Sequence, residues 1–142
     1  MAATTNQLIQ AQAAGGLIGV PVAASTTIYQ GTMNFFNRTS GAQEGYLTGD
    51  DNGGANTFAG IARAEVDNSA GSAGDKDAEL YTEGSFVLTG SGFTQANNGD
   101  IAYATDNYTV TPSSGSAVRI GRFVEYISAT RMRVKIDVQE TA

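Results

Sequence analysis

The sequence predicts an all-β fold: a compact antiparallel sandwich or barrel, jelly-roll-like or tulip-like, with an extended N-terminal arm. Short runs rich in β-branched and aromatic residues recur along the 142 residues, separated by clusters of Gly, Asn, Asp and Ser. No stretch shows a long helical period of apolar residues. We expect one β domain over residues 17–142 and an arm over residues 1–16.

The first predicted strands share this β-rich composition and end at turn-forming residues; they cover 17–22, 27–36, 58–66 and 79–88. In the last of them, alternation places four residues on one side: Leu80, Thr82, Phe86 and Leu88. A weak helical pattern over 5–14 has Leu8 and Ile9 as its only large apolar residues.

Two hairpins are predicted in the second half of the chain. The first joins 101–104 to 108–111 through Asp106 and Asn107, residues that tolerate tight turns. Its apolar face would consist of Ile101, Tyr103, Tyr108 and Val110.

The second hairpin turns near Ser128 and ends in a strand over 131–138. Strict alternation in that strand sends four side chains to the core: Met132, Val134, Ile136 and Val138. In the preceding strand Val118 and Ile120 alternate, whereas Phe123 and Val124 are adjacent, so a bulge at Gly121 would switch the facing.

The composition excludes several kinds of chemistry. The chain has no Cys and no His, so it offers no imidazole base, thiolate nucleophile, disulfide or ordinary zinc site. We expect no enzymatic activity and no cofactor. Two alternatives remain: a glycosidase-type carboxylate pair drawn from Asp75, Asp77, Glu79 and Glu83, or a bound cation in the loop 49–54, which lacks the closing Glu of an EF-hand.

Charge is distributed unevenly. The net charge of -6 disfavours nucleic acid and anionic lipid as partners, and nothing resembles a signal peptide or a membrane span, so we expect synthesis in a cytoplasm. No charged residue precedes Arg38. An uncharged start either frays or binds a neighbouring surface. For the second case we expect contacts from Leu8, Ile9, Leu17 and Ile18.

Basic residues gather near the C-terminus. One face of a predicted strand carries Arg131, Arg133 and Lys135. This face has three possible roles: it is simply solvated, it protects a sheet edge, or it forms an interface to an acidic segment of a second subunit. The tyrosines offer a different function: a carbohydrate-binding or fibre-type module that stacks sugars on Tyr46, Tyr81, Tyr108 and Tyr126.

From residue 58 onward the order of segments resembles the small capsid cement, or decoration, proteins of tailed bacteriophages. The resemblance lies in FAGIA at 58–62, YTEGSFVL at 81–88, NGDIAY at 98–103, TVT at 109–111 before a Ser/Gly loop, IGRF at 120–123 and the alternating last strand. The resemblance covers residues 58–138 and lies in the order and general composition of these segments. The first 57 residues depart from the pattern, so no family site is carried onto them.

The resemblance implies a structural virion protein on the outer surface of an assembled head. Members of the family are homo-oligomers, here a dimer or a trimer, that bridge neighbouring subunits of the major capsid protein. They have no enzymatic activity, cofactor or small-molecule substrate.

Overall fold

The computed structural model describes residues 16–138, and the chain there is almost entirely β. Two short 3-10 helices, Asn52–Gly54 and Gln95–Asn97, lie between the strands of this part. The strands in chain order are β1 Leu17–Pro21, β2 Thr26–Ile28, β3 Met33–Phe36, β4 Leu47–Thr48, β5 Thr57–Ala62, β6 Val66–Asn68, β7 Asp77–Tyr81, β8 Glu83–Thr89, β9 Ile101–Ala104, β10 Val110–Thr111, β11 Val118–Ser128 and β12 Arg131–Asp137.

The strands form three antiparallel sheets that pack as a β sandwich. The first sheet has the order β1-β7-β5-β3-β4, the second β10-β9-β11-β12-β8, and β2 pairs with β6 in a short ribbon. Both five-stranded sheets curl so far that their two edges meet. In the first sheet a single parallel bridge joins Val22 to Leu47, and in the second sheet another joins Thr89 to Thr109. The predicted all-β antiparallel class is therefore confirmed.

The first sheet is buried on both faces at β5, which explains the lack of charged residues in that strand. Phe58 and Ile61 belong to the larger core, shared with the second sheet, whereas Ala59 and Ala62 belong to a smaller core on the other face. Gly60 lies at a bulge between them with φ +149°, and a Cβ there would come within 2.5 Å of the Tyr81 carbonyl oxygen.

The β2–β6 ribbon is fastened over the smaller core by the buried Asn68. Its Nδ2 donates to the carbonyl oxygens of Ala23 at 2.9 Å and Ser72 at 3.1 Å. Ile28, on β2, is fully buried in that core. One amide thus ties the ribbon to two separate segments of chain.

The C-terminal hairpin agrees with its prediction. Met132, Val134 and Ile136 are fully buried, and Val138 packs against the larger core. The pairing of β11 with β9 shifts register between Arg119 and Gly121, so the predicted bulge is confirmed.

Three segments predicted as single strands are broken in the structure. The chain between 79 and 88 is two strands, β7 in the first sheet and β8 in the second, which separate at Thr82. Likewise, the segment 27–36 contains parts of β2 and β3, which are separated by a turn with Gly31 at φ +78°. The segment 58–66 contains parts of β5 and β6. Continuous alternation does not reveal where a strand changes its neighbours.

The predicted apolar face of the first hairpin is right for Val110, which is buried in the larger core, and wrong for Ile101, Tyr103 and Tyr108. The inner side chains of β9 are Ala102 and Ala104, both fully buried, while Tyr108 is 61% exposed. Ile101 and Tyr103 are half-buried on the opposite face. The large rings in the same core include Phe35, Phe58, Phe93 and Phe123, and small residues on β9 leave room for them.

Candidate functional site

β1 is an edge strand, and its open side points away from β7. Because Val22 N donates to Lys76 O and Thr82 N to Gly16 O, the even-numbered residues of this segment bond to β7. The odd-numbered residues Leu17, Gly19 and Pro21 therefore present their backbone groups outward.

Two predicted contact residues lie on this strand, on opposite faces. Ile18 is 40% exposed on the side of the smaller core, whereas Leu17 is half-buried opposite Tyr81. The other two, Leu8 and Ile9, lie outside the described residues, as does the predicted helix over 5–14.

The described chain begins and ends at the same corner of the sandwich. Thr82, where the chain passes from the first sheet to the second, donates both its backbone N–H and its hydroxyl to the carbonyl oxygen of Gly16. Its own carbonyl oxygen accepts the backbone N–H of Val138 at 3.3 Å. Gly16, the last residue of the predicted arm, therefore lies near the end of β12.

The outer face of the second sheet carries all five basic residues of the last quarter of the chain. We call it the basic face: Arg119, Arg122, Arg131, Arg133 and Lys135. The bulge in β11 is what brings Arg122 there, because unbroken alternation from the buried Ile120 would turn it inward. Spacing in the last strand identified three of these residues; Arg119 alternates with the buried Val118 and Ile120, and the bulge adds Arg122.

The basic face combines charge with exposed apolar side chains. Val87, Val124 and Ile127 are each at least 40% exposed. Glu125 partly neutralises the face through an ion pair with Arg133 at 2.8 Å. Because β12 lies between β11 and β8, its basic residues do not protect a sheet edge, and that interpretation is wrong.

A shallow hollow of about 280 Å³ opens in this face. Arg119, Arg122 and Lys135 line it together with Asp137 and Val124. Arg122 is held in place by donating to the Gly99 carbonyl oxygen at 2.7 Å. Three cationic side chains around one opening make it suited to an acidic side chain of a partner.

The four candidate carboxylates of a glycosidase pair occupy ordinary exposed positions. Glu79 forms an ion pair with Arg63 at 2.7 Å, which raises the pKa of that arginine. Asp75 accepts the Ser72 N–H at 2.9 Å, and Asp77 and Glu83 are exposed on strands.

The loop 49–54 satisfies its oxygens internally. Asp50 Oδ1 accepts the Asn52 N–H at 2.9 Å, and the Asp50 carbonyl oxygen accepts from Asn56 Nδ2 at 2.7 Å. Burial raises the pKa of the Asp51 carboxyl, and the negative charges of Asp50 and Asp106 raise it further by a smaller amount. Over residues 16–138, no group of three or more metal-ligating side chains comes together.

The four tyrosines do not form a common platform. Tyr81 packs on Phe86 with ring centroids 5.6 Å apart, and Tyr126 packs against the larger core. Tyr46 lies near Gly74, and Tyr108 stands in an exposed turn. The aromatic ring pairs of the described chain each include a phenylalanine, so stacking between tyrosines is not observed there.

None of the helical segments between residues 16 and 138 has the length and apolar character to cross a bilayer. Comparison with known protein families gave no match to this chain. Comparison with curated protein sequences also gave none.

Proposed function

We propose that this protein is a structural virion protein that binds the outer surface of an assembled phage head and holds neighbouring major capsid protein subunits together, with no enzymatic role. The order of segments from 58 to 138 supports the class of protein. The supporting structural observation is that Gly16, the first described residue, bonds to Thr82, next to one end of the basic face.

Gly16 and the basic face are close enough for one neighbour to contact both. Glu83 follows Thr82 directly and pairs with Asp137, two residues from Lys135 of the basic face. Two modest contacts joined by a short span of chain act with a high effective concentration, so neither has to be strong alone. This suits a clamp that spans a seam between subunits.

The arm is tested by deleting residues 1–15 and keeping Gly16, whose carbonyl oxygen accepts the bonds of Thr82. Heads of the encoding phage, prepared without this protein, are mixed with either form and sedimented. We expect the shortened protein to keep its β circular dichroism and to bind at least about tenfold more weakly. Equal co-sedimentation of the two forms would refute the role of the arm.

The basic face is tested separately by the double change Arg131→Glu and Lys135→Glu, both at exposed positions of β12. The matched control is the double change Arg38→Glu and Lys76→Glu, two exposed basic residues away from this face that give the same change in net charge. We expect weaker, less salt-dependent binding to heads for the double variant alone. If the control weakens binding equally, net charge and not the basic face is responsible.

A further inference from the structure

The two large sheets have four edge strands, and three of them are blocked. β4 and β10 have two residues each and meet the opposite edge of their own sheet at the bridges Leu47–Val22 and Thr109–Thr89. β1 has Pro21, which lacks an N–H, at an outward-facing position. Short edges, bridges and proline are the usual means of preventing strand addition.

β8 is the long edge, and along residues 83–87 it has no such protection; its last residue, Thr89, forms the bridge to Thr109. It has seven residues, EGSFVLT, with neither Lys nor Pro. The Gly90 N–H bonds to Thr130 O and the Val138 N–H to Thr82 O, so the even-numbered residues face β12. The odd-numbered residues Glu83, Ser85 and Val87 direct their backbone groups outward.

No strand of the described chain pairs with the outer side of β8 between 83 and 87. Glu83, Ser85 and Val87 are all exposed. This edge is therefore a run of backbone donors and acceptors next to an exposed apolar side chain.

We propose that two copies of this chain pair through β8, antiparallel about a two-fold axis at Ser85, so that their second sheets become one continuous sheet. Ser85 then faces Ser85 of the other copy, and Glu83 faces Val87. Three outward residues on each strand provide up to about six backbone hydrogen bonds across the axis. The sheets join with both basic faces on the same side.

The side chains along this edge fit a second copy. The pairing puts Glu83 of one copy beside Val87 of the other, and Arg133 lies directly across from Val87 on β12. Strands lie about 4.8 Å apart, so Glu83 and Arg133 backbones are about 10 Å apart, within reach of the two side chains. Lys135 lies directly across from Ser85 on β12, so the Lys135 backbones of the two copies are three strand spacings, about 14 Å, apart. Salt screens the repulsion between their charges at this distance.

The experiment is sedimentation velocity on the isolated full-length protein across a range of concentrations, so it does not depend on binding to heads. We expect a monomer–dimer equilibrium. Val87→Pro removes one outward N–H that β12 does not use, and should weaken dimerisation at least about tenfold while the β circular dichroism is kept. Val87→Ala retains the N–H and should change the dimer constant less than Val87→Pro does.

Hydrogen exchange on the unmodified protein tests the same edge without any substitution. The amides of Ser85 and Val87 should exchange more slowly at dimer-forming concentrations than on dilution, while the Phe86 amide, on the β12 side, changes less. A monomer at about 100 μM, a trimeric mass, or concentration-independent exchange at Val87 would overturn the proposal, because this pairing is complete with two copies. Head binding by a monomer would leave the proposed function intact.

Discussion

The amide of Asn68 provides a sharp test of how the smaller core is closed. Asn68→Ala removes two hydrogen bonds, at 2.9 and 3.1 Å, and leaves the carbonyl oxygens of Ala23 and Ser72 without this donor. Each lost bond costs about 1 kcal/mol net, and a buried acceptor left unsatisfied costs about 1–3 kcal/mol. The Ser72 carbonyl oxygen keeps the Asp75 N–H at 3.1 Å, and the change also removes Asn68 Oδ1, a buried acceptor with no partner in the described chain, so we expect a loss of about 2 kcal/mol in the free energy of unfolding.

Asn68→Asp keeps the shape and changes the pH dependence. A carboxylate at this position would face two carbonyl oxygens, so it is disfavoured, and protonation restores one O–H donor. The pKa of the introduced acid in the folded state is therefore raised. The loss in the free energy of unfolding caused by Asn68→Asp should be smallest below about pH 3.9, the pKa of Asp in the unfolded chain. It should grow as the pH rises through the folded-state pKa.

The assay is urea unfolding followed by circular dichroism between pH 3.5 and 7. Asn98→Ala is the matched control, because Asn98 is exposed, and it should change the free energy by less than about 0.5 kcal/mol. A cost below about 1 kcal/mol for Asn68→Ala would refute the reasoning, as would a deficit of Asn68→Asp that does not vary with pH.

Two further changes probe the loop 49–54 and the bulge in β11. Burial raises the pKa of Asp51 above 3.8, so Asp51→Asn should stabilise the fold at pH 7 by less than about 1 kcal/mol and lose this advantage below pH 3.8, as measured by urea unfolding. Gly121→Ala would set a Cβ 2.1 Å from Lys135 O and should lower the midpoint of thermal unfolding, at a cost of about 2 kcal/mol or more, whereas Gly19→Ala, with no atom within 4 Å, should not.

The sequence predicts best where one face of a strand is fully apolar. The alternation in β12 fixed which side chains are buried, and Gly121 correctly marked the bulge that moves Phe123 inward. The buried face of β9 in the first hairpin was predicted incorrectly, because large apolar residues were expected to face the core. The space beside the phenylalanines instead requires the small residues Ala102 and Ala104 there.

Surfaces were predicted less completely than buried faces, because they depend on which strands become neighbours. Arg131, Arg133 and Lys135 were grouped from spacing alone, but that β12 is an internal strand follows from its pairing with β8, more than forty residues earlier in the chain. The break at Thr82 has the same cause. Local residue patterns contain no information about these distant pairings.

The meeting of Gly16 and Val138 at Thr82 has a practical consequence for engineering the chain. Each lies one strand spacing from Thr82, so the two are within about 10 Å of each other. A linker of a few residues could join them and allow circular permutants that open at the exposed loop 112–117. Peptides fused at residue 16 or at residue 138 would be displayed from the same corner of the sandwich.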